Sequence, residues 1–326
     1  MATVTNDLMV QQLTERKRRL ESAVAQAPGD QQFGRLLSEV DAALARVSAG
    51  TFGLCEVCHD PVEPERLLAD PLLRFCLDHL TEREQRDLER DLQTAGRIQR
   101  GLLPAPDLSA NGWEVHYRWE PAGLVSGDWC DVIPREGGDL FFMFGDVSGK
   151  GVAAAIVMSH LHATFRALVE ADSTVAQLVE RANRVFREST LSPYFATLVC
   201  GRASAHGAIE VCNAGHCPPF VLSSTGVSAV DPTGLPVGTF YSAAYASRSV
   251  VLAPGDALVL YTDGLTEARN RDDAEYGTAR LTRTLARTRG LAPRGVIDTC
   301  LEDLAAHMSG APRADDLTLM AIRRTA

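Results

Sequence analysis

Asp139-Leu140-Phe141-Phe142-Met143-Phe144-Gly145-Asp146-Val147-Ser148-Gly149-Lys150-Gly151 is the stretch on which the reading of this chain turns. A short apolar run rich in Phe, bounded by Asp and Gly, has the composition of a strand. It closes on Asp146, and the glycines beyond form a turn before a helical pattern over about 151–170. A lone Asp at a strand end serves equally well as the cap of the next helix, and Asp beside Gly is usually a plain turn.

Outward from that stretch the same texture continues. WEVHYRWE (113–120), YFATLVCG (194–201), AIEVCNAG (208–215), PPFVLS (218–223) and DALVLYTDG (256–264) are further short runs bounded by Gly, Pro or Asp. Helical patterns lie at about 151–170, 173–190, 278–288 and 294–308. Strands and helices in irregular blocks, without strict alternation, predict an α+β layered domain over 105–326.

Five signatures with acidic or polar cores recur in this region. They are Ser126-Gly127-Asp128-Trp129-Cys130-Asp131, the Gly145–Gly151 segment, Asn213-Ala214-Gly215-His216, Tyr261-Thr262-Asp263-Gly264 and Asp315-Asp316-Leu317-Thr318. Carboxylates at strand ends, with no thiol or histidine cluster beside them, suit hard cations such as magnesium or manganese. Two such ions lower the pKa of a shared water and grip phosphate oxygens, which suits in-line phosphate hydrolysis.

Upstream, residues 8–26 and a run of Phe33, Leu36, Leu37, Val40, Leu44 and Val47 have helical spacing and are joined by the turn Ala27-Pro28-Gly29-Asp30. They predict a helical hairpin over 1–50. Residues 82–104 return to helix. Leu88, Leu92, Ala95, Ile98 or Gln99, and Leu102 are spaced like a coiled-coil seam, from which a homodimer is expected. Between the two lies a cysteine-rich module, 51–81. Cys55-Glu-Val-Cys58 and Cys76-Leu-Asp-His79, separated by seventeen residues, give the two ligand pairs of a closed structural zinc site. The rivals His59 and Asp78 would each crowd the turn beside a cysteine. Cys212 and Cys217 read as buried thiols.

The net charge of the 326 residues is −10. Residues 1–104 carry 13 basic and 17 acidic side chains and the remainder 19 and 25, so neither part is the basic body that nucleic acid requires. No run of eighteen apolar residues occurs, and the opening residues lack the order of a signal peptide, so a cytoplasmic protein without membrane segments is expected.

The zinc module resembles the DksA/TraR zinc-finger family over about residues 1–80. The resemblance lies in Thr51-Phe52-Gly53-Leu54-Cys55, Pro61, Glu65-Arg66-Leu67-Leu68-Ala69, Pro71 and Arg74-Phe75-Cys76, with His79 where the family commonly has a fourth cysteine. Members of that family enter the secondary channel of RNA polymerase using acidic residues at a coiled-coil tip. The tip here carries a single Asp, Asp30.

The five signatures, in their order, resemble the SpoIIE/RsbU branch of the type 2C (PPM) metal-dependent protein phosphatases over about 97–326. Arg97-Ile98-Gln99-Arg100-Gly101-Leu102-Leu103-Pro104, Phe195-Ala196-Thr197-Leu198 and Gly234-Leu235-Pro236-Val237-Gly238 belong to the same resemblance. It implies an α-β-β-α sandwich with two manganese or magnesium ions at one end, acting on phosphoserine or phosphothreonine of a partner protein. In this branch that partner is typically a STAS-type anti-sigma factor antagonist. It further implies that Asp146 bridges both ions with the Val147 carbonyl as a ligand. Asp263 and Asp315 complete the first site, and Asp128, with Asp131, faces the second ion. Asp316 is either a ligand or an orienter of one. Asn213 and His216 brace the adjoining loop, while Lys150 and Arg118 are candidate phosphate contacts. Eukaryotic members carry a histidine general acid at the position of Ser148. The expectation is a signalling phosphatase regulated by the zinc module. The alternatives are an RNA polymerase-binding zinc-finger protein and a redox or zinc sensor.

Overall fold

The computed structural model describes residues 2–26, 31–80, 82–169, 174–190 and 194–325. The tip 27–30 lies outside them. The chain forms two compact units, 1–90 and 91–326.

In the first unit α1 (Ala2–Gln26) and α2 (Gln31–Ser48) pack through Leu13, Val40 and Ala43. Lys17 bridges the two helices to Asp41 at 2.7 Å. Gly50, at φ 70°, ends α2 in the left-handed conformation that glycine adopts without strain. The cysteine module follows, with α3 (Pro64–Ala69) between its two knuckles. Arg46 of α2 donates to the carbonyls of Leu72 and Leu73. Next comes α4 (Glu82–Leu102), which ends before Pro104, as a residue lacking an N–H requires.

The second unit holds two antiparallel sheets. One is ordered β1 (Asp107–Ala110), β2 (Trp113–Glu120), β11 (Leu317–Arg324), β10 (Ala257–Tyr261), β7 (Phe220–Ser223) and β8 (Gly226–Ala229). The other is ordered β3 (Trp129–Pro134), β4 (Leu140–Val147), β5 (Ala196–Ala203), β6 (Ala208–Ala214) and β9 (Arg248–Val251). Helices α5 (Gly151–Leu168) and α6 (Val175–Ser189) cover the second sheet. The short α7 (Asp263–Thr266), α8 (Thr278–Arg287) and α9 (Pro293–Met308) belong with the first.

Alternation along the strands explains the layering. Leu140, Phe142 and Phe144 of β4 enter the cluster between the sheets, whereas Phe141, Met143 and Val147 enter the cluster under α5 and α6. In β10, Leu258 and Leu260 face the other sheet, and Ala257, Val259 and Tyr261 face α8 and α9. A strand apolar on both faces fits only between two layers, so α-β-β-α follows from β4 and β10. Each large side chain so buried contributes about 1.5–3 kcal/mol.

Candidate functional site

Four carboxylates stand at one end of the sandwich. Asp146 is the last but one residue of β4, and Asp128 directly precedes β3. Asp263 opens α7 two residues after the end of β10, and Asp315 lies two residues before β11. Their neighbourhood raises three of the four. Burial, followed by the charges of Asp263, Asp315 and Asp316, pushes the Asp146 carboxyl up to about 7. Burial and then Asp146 raise Asp128 well above the usual carboxylate range, and burial and then Asp315 raise Asp263. A carboxyl is raised in this way when it is poorly solvated and close to other carboxylates.

Glycine permits this crowding at two points. A Cβ on Gly264 would fall 1.9 Å from the Asp316 carbonyl oxygen, so the turn carrying Asp263 can approach the Asp315–Asp316 segment only as glycine. A Cβ on Gly127 would sit 2.9 Å from the Val147 carbonyl oxygen and 3.1 Å from Asp146 Oδ1. The loop bearing Asp128 therefore lies directly over the Val147 carbonyl and the Asp146 carboxylate. Carboxylates with a backbone carbonyl, held in mutual repulsion, are a donor set that fits hard divalent cations.

Asp316 is a brace. Its Oδ1 accepts from the Ala122 amide at 2.7 Å and its Oδ2 from the Gly127 amide at 2.9 Å, which pins the loop ahead of Asp128. Lys150 stands at the cluster, with Nζ 2.9 Å from Asp315 Oδ2 and donating to the Ala314 carbonyl at 2.8 Å. Ser148 is tied into the neighbouring segment. Its amide donates to the Phe195 carbonyl, and its hydroxyl accepts from the Phe195 amide at 3.1 Å.

His216 and Asn213 brace the same end from within. Asn213 bonds the His216 amide and carbonyl, while the ring spans Thr197 Oγ1 at 2.8 Å and the Tyr261 carbonyl at 3.1 Å. Burial lowers the imidazole to about 4, so it is neutral and both nitrogens are engaged.

Two sequence expectations are corrected. Asp131 is not part of the cluster. Two residues along β3 from Trp129, it points with that side chain toward α5, where Arg166 donates from Nε at 2.6 Å and Nη2 at 2.8 Å. His162 Nε2 is 3.2 Å away. Burial opposes ionisation of Asp131, but His162 and Arg166 outweigh it and hold the carboxyl below its usual range. Arg118 is likewise apart from the acids. It pairs with Glu120 at 3.1 Å and lines a groove against Leu301, Leu304 and Met308 of α9.

Residues not assigned from sequence complete the site. Thr262 and Thr318 both donate to Asp128, and Gln99 holds Ser126. Both threonines stood inside quoted motifs, but a hydroxyl beside an Asp carries no signal of its own in sequence.

In the first unit Cys55, Cys58, Cys76 and His79 bring one ligand atom each within 4.8 Å of the others. Cys58 Sγ is 3.7 Å from Cys76 Sγ, which is 3.2 Å from His79 Nδ1. Burial opposes ionisation of Cys55, yet the amides of Cys58, Cys76 and Val57 bring its thiol down to about 6. A ready thiolate among three further soft or borderline ligands fits a tetrahedral ion. His59 and Asp78 are exposed and outside this group. Glu63, just ahead of α3, ties that helix to the second knuckle by accepting from the Leu77 amide at 3.0 Å and from Arg66 at 2.9 Å.

Two sheets between helical layers, with acids gathered at the strand ends, define the type 2C phosphatase fold. Residues 136–325 match the family described as Stage II sporulation protein E (SpoIIE), and the chain belongs to that family. Residues 50–85 match the prokaryotic dksA/traR C4-type zinc finger, with His79 as the fourth ligand residue here. Phosphoserine phosphatase RsbU of Bacillus subtilis is 26% identical over 191 residues, which is 58% of this chain and 57% of RsbU. The RsbU and RsbW domains of Rv1364c from Mycobacterium tuberculosis are 31% identical with a TM-score of 0.59, over 69% of this chain and 62% of that one. The SiaA-PP2C domain of Pseudomonas aeruginosa shares the fold, with a TM-score of 0.66 at 20% identity over 75% of this chain and 99% of the domain. The chain spans about half the length of the curated relatives it matches.

Proposed function

We propose that this chain is a divalent-cation-dependent protein serine/threonine phosphatase of bacterial signalling. The observation that carries the reading is the gathering of Asp128, Asp146, Asp263 and Asp315 at one end of the sandwich, in glycine turns that admit no side chain, where burial and neighbouring carboxylates raise Asp128, Asp146 and Asp263. A protein keeps several buried like charges together at a cost of several kcal/mol unless a cation balances them. Asp146, Asp263, Asp315, Asp128 and the Val147 carbonyl would hold two manganese or magnesium ions. Such ions supply charge neutralisation for the phosphoryl group and ionise attacking water. The chain's own residues do the rest. Asp316 and Gly127 fix the Asp128 loop, His216 keeps the β10 end in place, and Lys150 holds Asp315 while its exposed ammonium remains beside the entry of a phosphate.

The relative named a phosphoserine phosphatase, RsbU, supports phosphoserine or phosphothreonine on a partner protein as substrate, and a phosphorylated STAS-type antagonist is the partner we propose. The cysteine module, holding one structural zinc, and the hairpin would form the regulatory input, with the helix over 82–104 as a homodimer seam. Among the described residues no helix is long and apolar enough to cross a membrane, and a cytoplasmic site of action is part of the proposal.

The test is dephosphorylation of phosphorylated STAS proteins with added manganese, by the whole chain and by its Asp263→Asn variant. Release of phosphate by the whole chain alone is expected. Equal release by both, or none from any STAS phosphoprotein alongside release from other phosphoproteins, would contradict the site or the partner respectively.

A further inference from the structure

Asp128 carries the most heavily braced carboxylate of the cluster. Its Oδ2 accepts from Thr262 Oγ1 at 2.9 Å and from Thr318 Oγ1 at 2.6 Å. The two threonines face one another across the β10–β11 ladder, one step beyond the Tyr261–Leu319 pair. The Thr262 amide donates to the Thr318 carbonyl at 3.0 Å, and the Thr318 amide donates to Thr262 Oγ1 at 3.0 Å. Because Thr262 Oγ1 already receives an N–H, its own proton is directed to Asp128. Both threonines are fully buried, and Asp128 is 1% exposed.

The arrangement spans the two sheets. Asp128 enters β3 of one sheet, and both hydroxyls come from central strands of the other, next to the strand ends that carry Asp263 and Asp315. Two donors engage Oδ2, and the Asp146 carboxyl lies within hydrogen-bond reach of the Asp128 carboxyl. A buried hydroxyl is costly unless it is hydrogen-bonded. Here both hydroxyls are satisfied by the Asp128 carboxyl.

We propose that Thr262 and Thr318 are positioning residues of the metal-dependent site: together they occupy Oδ2 of Asp128 and so present Oδ1 alone, in one orientation, to the cations. This rests on the phosphatase reading above. Outer hydrogen-bond partners of metal-binding carboxylates typically change metal affinity by about 10–100-fold when removed.

The test uses the full chain with Thr262→Val and Thr318→Val, singly and together, and with Thr318→Ser. Valine is close to threonine in shape, so the sandwich keeps its packing while the donor is lost. Manganese binding is measured by calorimetry, beside melting without metal and the manganese dependence of p-nitrophenyl phosphate hydrolysis. The expected result is manganese affinity lower by on the order of 10–100-fold in the double valine variant, with most of it restored by the serine. Wild-type affinity in the double variant, whatever its melting temperature, overturns the inference, since hydroxyls that merely joined the sheets would move melting and not binding. A wild-type chain that binds no manganese overturns the phosphatase reading, and the positioning role with it.

Discussion

Gln99 of α4 and the backbone of Ser126 hold each other by two hydrogen bonds, from Gln99 Nε2 to the Ser126 carbonyl at 2.6 Å and from the Ser126 amide to Gln99 Oε1 at 3.0 Å. Three successive amides are thereby committed. Ser126 donates to Gln99, Gly127 to Asp316, and Asp128 to Ser126 Oγ at 3.0 Å. Gly96, one turn earlier on α4, passes so close to Leu124 that a Cβ there would lie 2.2 Å from its carbonyl oxygen. The helix is thus docked directly on the loop that presents Asp128. Replacing Gln99 with Leu leaves a buried donor and a buried acceptor unpaired, at roughly 1–3 kcal/mol each. Gln99→Leu should melt several degrees lower and need more manganese for half-maximal hydrolysis. A thermal melt with a manganese titration checks both.

The two glycines of the site should fail in different ways. Gly264→Ala places its Cβ against a backbone oxygen, so neither partner can give and the loop itself must shift. A lower melting temperature and loss of hydrolysis are expected together. Gly127→Ala intrudes less and toward Val147 and Asp146. It should weaken manganese binding and lower the melting temperature by less than Gly264→Ala does, as calorimetry beside a melt would show.

Acid sensitivity is expected away from the cluster, at Asp303 of α9. Arg280 is the chief cause holding its carboxyl well below the usual range, joined by Tyr276 and Thr284 and opposed by burial. Arg280 donates to it at 2.8 Å, Tyr276 at 2.8 Å and Thr284 at 3.0 Å. A depressed folded pKa adds stability above the unfolded value of 3.8, and that stability is lost as pH falls through the folded value. Asp303→Asn should therefore cost on the order of 2–3 kcal/mol at pH 7, with the gap to wild type closing below about pH 4. Denaturant melts at several pH values give the measurement.

The zinc reading predicts one zinc per chain by elemental analysis, and its loss in Cys76→Ser. Zinc-ligand bonding supplies folding free energy in small modules of this kind. Removing zinc, by Cys76→Ser or by chelation before manganese is restored, should therefore unfold residues 51–80 and, because that module is the regulatory input, change the rate of manganese-dependent hydrolysis by the 91–326 unit. Circular dichroism with and without chelator follows the first effect.

Much of this arrangement was legible in the chain itself, for physical reasons. The strands over Leu140–Val147 and Ala257–Tyr261 were readable because short apolar runs end on Asp and Gly, and the helices at 151–168 and 293–308 because their apolar spacing persists for several turns. β3 was not visible, since Asp131 and Pro134 break its pattern and its carboxylate is balanced by Arg166, thirty-five residues away. β11 was also missed, because a run such as Leu-Thr-Leu-Met-Ala-Ile suits a buried helix as well as a strand. The same limit explains the site. Asp146 and Asp263 announce themselves by turn chemistry and Asp315 by the resemblance of its segment to the phosphatase family, whereas the separate roles of Asp131 and Asp316 depend on which side chains arrive from distant strands. At α4, periodicity left Ile98 and Gln99 as equals, and the structure buries Gln99 at 3% exposure and leaves Ile98 at 64%.

Hydrolysis of p-nitrophenyl phosphate at increasing manganese, by the wild-type chain and by Asp146→Asn, tests the account most directly. The account predicts hydrolysis that rises with manganese in the wild type and is absent in the variant, while the variant, freed of one buried repelling carboxylate, melts no lower than wild type without metal. Hydrolysis of equal rate and equal manganese dependence in both proteins would contradict it.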